Sequence, residues 1–386
     1  MRCVTVTNTG CKEDMATPNS HLAIGRDTPY PQAIKGLKPT SSGNILCLPH
    51  RQGCSEYTPK MTSNLSLPAT RLVGDIGGTN ARFALHTAQG LSDIRVLPTA
   101  DYARFADALL AYLAATGATA VRHVAIGIAN PVYGDQIRMT NHHWAFSIAQ
   151  TRAELGLETF LVLNDFAVLA RALPELPAAE LVQVGGGSAV PGAPLALLGA
   201  GTGLGVSGLI PDGQGGWTPL AGEGGHVSFA PFDEREVAIR RLAHARFGHV
   251  SAERLLSGTG MAFLHQALGQ IAGQTPPERS AAEITRLALD GSDALCHDTV
   301  TLFCTLLGTV AADLTITLGA RGGVYIGGGI VPRLGDFFRH SPFRQRFEDK
   351  GRTSPYLRDI PVWVIHSPWP ALLGAAAALD QFLQSH

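Results

Sequence analysis

From residue 71 onward, short apolar runs alternate with amphipathic segments, a pattern that predicts strands followed by helices. "TRLVGDIGG" and "ARFALHTA" read as strand, turn, strand, and "DYARFADALLAYLAATG" carries apolar residues at helical spacing up to Gly117. "VRHVAIGIANPVYG" is a strand feeding a turn, "QTRAELGLE" a helix, "TFLVLNDF" a strand and "AVLARAL" a helix that starts at once. Farther on, "LALLGAGTGLGVSGLI" is a buried strand pair around a glycine loop, and "HDTVTLFCTLLGTVAADLTITLG" a long, mostly buried helix. "GGVYIGGGIV" and "DIPVWVIHS" follow as strands, and "WPALLGAAAALDQFL" closes the chain as an Ala-rich helix. Strands alternating with helices specify an α/β fold with a mainly parallel or mixed sheet. Two strand-turn-strand units, each with its own glycine loop, indicate two similar halves facing a cleft.

Residues 1–69 break this pattern. They are rich in Thr, Ser, Pro, Asn and Gly without a sustained period, as in "RDTPYPQAIKGLKPTSSGN", and Met61 sits just ahead of the first strand. They read as a disordered leader or as sequence upstream of the native start. The whole chain has 386 residues, 45% of them hydrophobic, enough for one large or two ordinary domains. A formal net charge of -1 argues against nucleic acid or an anionic membrane as partner. No uninterrupted apolar run is long enough to span a bilayer, and "MRCVTVTNTGCKED" lacks the apolar stretch of a secretory signal, so a cytoplasmic location is expected. Cys3, Cys11, Cys47, Cys54, Cys296 and Cys304 show no short paired zinc spacing and read as free thiols.

Five constellations carry candidate chemistry. In "DIGGTNAR", Gly77 and Gly78 allow close backbone approach to an anion, Thr79 and Asn80 add donors, and Asp75 suits a hydrated Mg2+. "GAGTGLG", Gly199 to Gly205, matches a dinucleotide fingerprint superficially. A strand rather than a helix follows it, so Gly201, Thr202 and Gly203 fit a second phosphate hairpin better. In "LNDFAVLA", Asn164 and Asp165 sit where a strand enters a helix; either can cap it, and Asp165 can also serve as a general base toward a hydroxyl. In "LAGEGGHVSFAP", Glu223 and His226 suit polyol hydroxyls, and no third residue of suitable spacing completes a metal site. Glu253 in "SAERLLSGTG" reads as a helix-start acid near the positive end of a helix dipole. In "GGVYIGGGIVPRL", Gly327, Gly328 and Gly329 leave a surface without side chains, suited to a nucleoside or to a sharp turn.

Taken in order, "LVGDIGGTNARFAL", "TNHHWAFSI", "LNDFAVLARAL", "GAGTGLGVSGLI", "EGGHVSFAP", "AERLLSGTG" and "GGVYIGGGIVPRL" resemble the bacterial glucokinases of the hexokinase-like group. The resemblance covers about Arg71 to Leu383. It implies a two-domain actin-like ATPase (ribonuclease H-like) fold that closes around ATP and sugar, with residues 70–175 plus 367–386 as the small domain and 176–366 as the large one. It implies phosphorylation of glucose at the 6-hydroxyl with ATP and Mg2+, and a homodimer. It assigns Asp75, Gly77, Gly78, Thr79 and Asn80 to the first phosphate loop, Gly201, Thr202 and Gly203 to the second, and Gly327 to Gly329 to the adenosine region. Asn164, Asp165, Glu223, His226 and Glu253 match the sugar-binding set, with Asp165 as base. Related ROK-type sugar kinases carry a cysteine-rich zinc motif after the Glu-Gly-x-His segment. "VSFAPFDEREVAIRRLAHARFGHVSAERLL" contains no cysteine, which removes that zinc site. Kinases of mannose, fructose or an amino sugar, and a non-catalytic sugar-responsive regulator, remain alternatives.

Overall fold

Two sheets built on the same strand plan organise residues 71–385, the part of the chain described in the computed structural model. The expectations for residues 1–69 and their four cysteines lie outside the described residues. The chain runs through β1 (Arg71–Ile76), β2 (Asn80–Thr87), β3 (Gly90–Pro98), α1 (Phe105–Thr116) and β4 (His123–Ile128). A small hairpin of β5 (Gln136–Arg138) and β6 (Ala145–Ser147), then α2 (Ile148–Glu154), leads to β7 (Thr159–Asn164) and α3 (Asp165–Ala172). β8 (Leu181–Gln183), β9 (Leu195–Ala200), β10 (Leu204–Pro211) and β11 (Trp217–Pro219) precede four helices, α4 (Glu234–Phe247), α5 (Gly258–Ile271), α6 (Ala281–Leu289) and α7 (Ala294–Leu318). β12 (Gly323–Gly327) is followed by the short α8 (Val331–Leu334), α9 (Asp336–His340), α10 (Phe343–Glu348) and α11 (Ser354–Arg358), then β13 (Val362–Ile365) and α12 (Pro370–Ser385).

The first sheet has the order β3-β2-β1-β4-β7, an antiparallel meander continued by two parallel strands. The second repeats the scheme as β11-β10-β9-β12-β13, with β8 added antiparallel at the edge. The central strands "HVAIGI" and "LALLGA" are almost wholly apolar because helices or chain cover both faces. β3 is missing from the pattern reading: its residues are all partly or fully exposed, so it lacks the apolar alternation of a half-buried strand. α4, α5 and α6 are missing too; α4 buries only Glu236, Ile239 and Ala243.

Helices α3 and α12 cross between the sheets. α12 sets Leu372, Ala375 and Leu379 among Val73, Ala84 and Ala125 of the first sheet, while α3 sets Leu169, Ala170 and Leu173 among Leu195, Leu197 and Leu209 of the second. The outer face of the first sheet is closed by an aromatic cluster in which Phe105 stacks on Phe146 and Phe160, with Trp144 at its edge. The outer face of the second carries α5 and α7, with Leu264, Phe303 and Leu307 fully buried. By length and hydropathy α7 meets the requirement for crossing a bilayer, contrary to the expectation that no apolar run is long enough. Its most apolar window is 67% buried inside the protein, so its apolar character serves the core.

Candidate active site

The first glycine loop is the turn of the β1–β2 hairpin. Ile76 pairs with Ala81 and Asp75 with Arg82, which leaves Gly77 to Asn80 as the connection. Gly77 N donates to Asn80 O at 2.9 Å, and Thr99 anchors the turn through its N–H to Thr79 O and its hydroxyl to Gly78 O. A Cβ on Gly78 would lie 3.1 Å from Asn141 O, so the neighbouring chain already crowds this position. The antiparallel pairing also sets the Arg82 guanidinium on Asp75 Oδ2 at 2.8 Å. Burial raises the Asp75 pKa, and Arg82 opposes that shift through charge and hydrogen bond. Arg82 is a site residue that the sequence reading passed over. Its signal was available: an acid and a base placed symmetrically about a four-residue turn fall opposite each other on one face of a hairpin.

The second loop is the turn between β9 and β10, closed by Gly201 N donating to Gly203 O at 2.8 Å. Its surroundings come from three other segments. Gly258 N, at the start of α5, donates to Gly201 O. Glu253 Oε2 accepts from Leu204 N at 2.9 Å and would stand 2.4 Å from a Cβ on Gly203. Gly328, at φ +77°, presses against Ala200, where a Cβ would meet the carbonyl oxygen at 2.4 Å. Only glycine satisfies both that backbone conformation and that approach. The Glu253 carboxylate therefore braces the loop. It does not sit in the first turn of α5, which Ser257 caps, so the helix-start reading of Glu253 is corrected.

Glu253 N also donates to Gly225 O, which ties the 3₁₀ turn Gly224–His226 to the same corner. The side chains of Glu223 and His226 stand half exposed, 3.9 Å apart. Asn164 caps α3, its Oδ1 accepting from Phe166 N at 3.0 Å and Ala167 N at 3.1 Å. The next residue, Asp165, lines the cleft and accepts from Asn164 Nδ2 and Phe166 N, both at 3.0 Å. Burial pushes the Asp165 pKa up to about 6; the Phe166 amide works against this, and the charges of Asp75 and Glu223 add to it.

The cleft has a volume of about 570 Å³. Asp75, Asp165 and Gly327 to Gly329 line it together, whereas Glu223, His226, Glu253 and the Gly201 to Gly203 loop stand outside its wall. Arg333 and His366 to Trp369 line it too; Arg333 falls within "GGVYIGGGIVPRL" but was given no role there, and no motif marks the other four.

A duplicated α/β sheet plan, with glycine hairpins at corresponding turns and a poised carboxylate at a helix head, defines a kinase of the actin-like ATPase fold. The glucokinase family model matches residues 72–382. The glucokinase of Chromobacterium violaceum is 59% identical over 324 residues, 84% of this chain and 93% of that protein. A crystal structure of glucokinase from an Antarctic psychrotroph superposes with a TM-score of 0.76 at 34% identity, over 81% of this chain and 99% of that one. A ROK family glucokinase from Streptomyces griseus, solved in complex with glucose and AMPPNP, shares the fold at a TM-score of 0.54 and 18% identity, over 81% and 99% of the two chains. The chain belongs to the glucokinase family.

Proposed function

We infer that the protein transfers the γ-phosphoryl group of ATP to the 6-hydroxyl of glucose, giving glucose 6-phosphate and ADP. The observation that carries this reading is the Asp165 carboxyl at the head of α3, in one cleft with Asp75 and the Gly327 to Gly329 surface. Sugar hydroxyls are weak nucleophiles, and phosphoryl transfer is accelerated mainly by positioning and by stabilisation of charge on oxygen. Asn164, Glu223, His226 and Glu253 orient the ring hydroxyls, and the two glycine hairpins receive the phosphates. Asp165 takes the proton of the 6-hydroxyl as its oxygen bonds to phosphorus and the bond to the ADP oxygen breaks.

Asp75 fits a hydrated Mg2+: Arg82 engages Oδ2, and no hydrogen bond from the described residues occupies Oδ1. An ion held there by Asp75 would supply positive charge against the transferring phosphoryl oxygens. Closure of the two lobes, 70–175 with 367–386 against 176–366, would exclude water as a competing acceptor. A cytoplasmic homodimer, where ATP is at hand, completes this reading.

ADP release measured over a panel of hexoses is expected to give the highest kcat/KM for glucose; a preference for mannose, fructose or an amino sugar would overturn the glucose reading. The pH profile supplies a second check. The raised Asp165 pKa means that the base becomes protonated as pH falls through about 6, so kcat/KM is expected to drop on the acid side with that apparent pKa. An acid limb near the ordinary carboxylate value would remove Asp165 as the titrating base.

A further inference from the structure

On the far side of the second sheet, His265 of α5 meets the start of α7. Its ring is 1% exposed, and neither ring nitrogen has a hydrogen-bond partner. Burying an imidazole with both nitrogens unsatisfied is costly, and native interiors seldom leave one so. The groups it meets are metal ligands by type. A ring nitrogen of His265, a carboxylate oxygen of Asp293 and the sulfur of Cys296 all lie within 4.8 Å of one another. Asp293 caps α7, its Oδ1 accepting from Cys296 N at 2.9 Å, so helix geometry fixes the carboxylate and the thiol on one turn.

A cation already stands there. Arg279 Nη1 reaches Asp293 Oδ2 at 2.5 Å and Cys296 Sγ at 3.0 Å. Its Nε lies 3.7 Å from Glu283 Oε1, so the guanidinium has a second carboxylate to move onto. Arg279 also lines a surface groove of about 390 Å³ with Phe263 and Gln266.

We propose that His265, Asp293 and Cys296 form a site for a zinc-class cation that clips α5 to α7, with Arg279 holding the cation's place until the ion displaces it. One nitrogen, one oxygen and one sulfur donor suit Zn2+, with water as fourth ligand. Tetrahedral coordination needs donors about 3.5 Å apart, and the three donor atoms already lie within 4.8 Å of one another, so modest side-chain adjustment completes the site. Binding converts the Cys296 thiol to thiolate and releases its proton to solvent, while Arg279 turns to Glu283.

The test uses the full chain with Cys3, Cys11, Cys47 and Cys54 changed to Ser, so that thiols elsewhere do not bind metal. Titration with Co2+ under reducing, anaerobic conditions is expected to give one equivalent with a thiolate-to-cobalt charge-transfer band, bleached by Zn2+. Cys296→Ser abolishes the band, Cys304→Ser keeps it, and His265→Ala weakens binding. Arg279→Gln removes the competing charge and tightens binding by about tenfold or more. Retained glucose phosphorylation in each variant shows that it is folded. Lack of a band in the protein with Arg279 intact, a band that survives Cys296→Ser, or looser binding in Arg279→Gln would each overturn the site.

Discussion

Asp165→Ala is expected to leave glucose binding largely in place and to lower kcat by roughly 10²–10⁴-fold, the range over which a positioned base accelerates proton transfer. The structure supplies the reason in two parts. Asn164 rather than Asp165 caps α3, so removing the Asp165 side chain leaves the helix head and its two capping bonds standing. The Asp165 carboxyl, in contrast, is held at an unfavourable charge by burial and by the nearby Asp75 and Glu223. ADP release with glucose and calorimetric glucose binding, measured separately, decide the matter; near-normal turnover would remove Asp165 as base.

The same carboxyl makes an opposite statement about stability. Its folded-state pKa of about 6 lies above the unfolded value of 3.8, so its contribution is fully favourable below pH 3.8 and is lost as pH rises through 6. At pH 8 the ionised group costs at most ~3 kcal/mol, two pKa units' worth. Asp165→Asn, which retains the shape, should therefore melt at a higher temperature than the parent at pH 8, with the difference vanishing near pH 4. A variant that is both inactive and more stable is the signature of a site strained for function.

Gly374→Ala is expected to destabilise the fold by about 1–3 kcal/mol or more through overpacking. Gly374 lies on α12 where it crosses α3, and an added Cβ would stand 1.8 Å from the Val168 carbonyl oxygen and 3.2 Å from Ala172 N. Both are backbone atoms of α3, so no side-chain rotation relieves the clash and the helices must separate. Since α3 carries Asn164 and Asp165 at its head, kcat should fall together with the melting temperature. Thermal melts and steady-state kinetics at 20 °C read the two effects; an unchanged melting temperature would show that the crossing is looser than drawn.

Much of the site was legible because it is written in local backbone demands. A strand, a glycine turn and a returning strand declare a hairpin within a dozen residues, and this occurs twice, around Gly77 and Gly201. Asn164 next to Asp165 announces a capped helix behind a strand. Glu253 was harder. Its chemistry was visible, but its service to the second loop depends on Leu204, far away in sequence, and no spacing encodes that contact. β3 escaped because an exposed strand carries no hydrophobic period to read.

By itself, then, the sequence determined the α/β class, the two glycine hairpins and the residue types at each, since helix and strand periods and glycine's φ freedom act over a few residues. Only the tertiary structure decided what those residues experience. The raised Asp165 pKa arises from burial and from Asp75 and Glu223, which different loops bring together. The convergence of His265, Asp293 and Cys296 on Arg279 likewise belongs to no motif, because α5, α7 and the segment before α6 must pack before those groups meet. Coulomb energy and desolvation depend on distance through space, and the linear chain carries that distance only once it is folded.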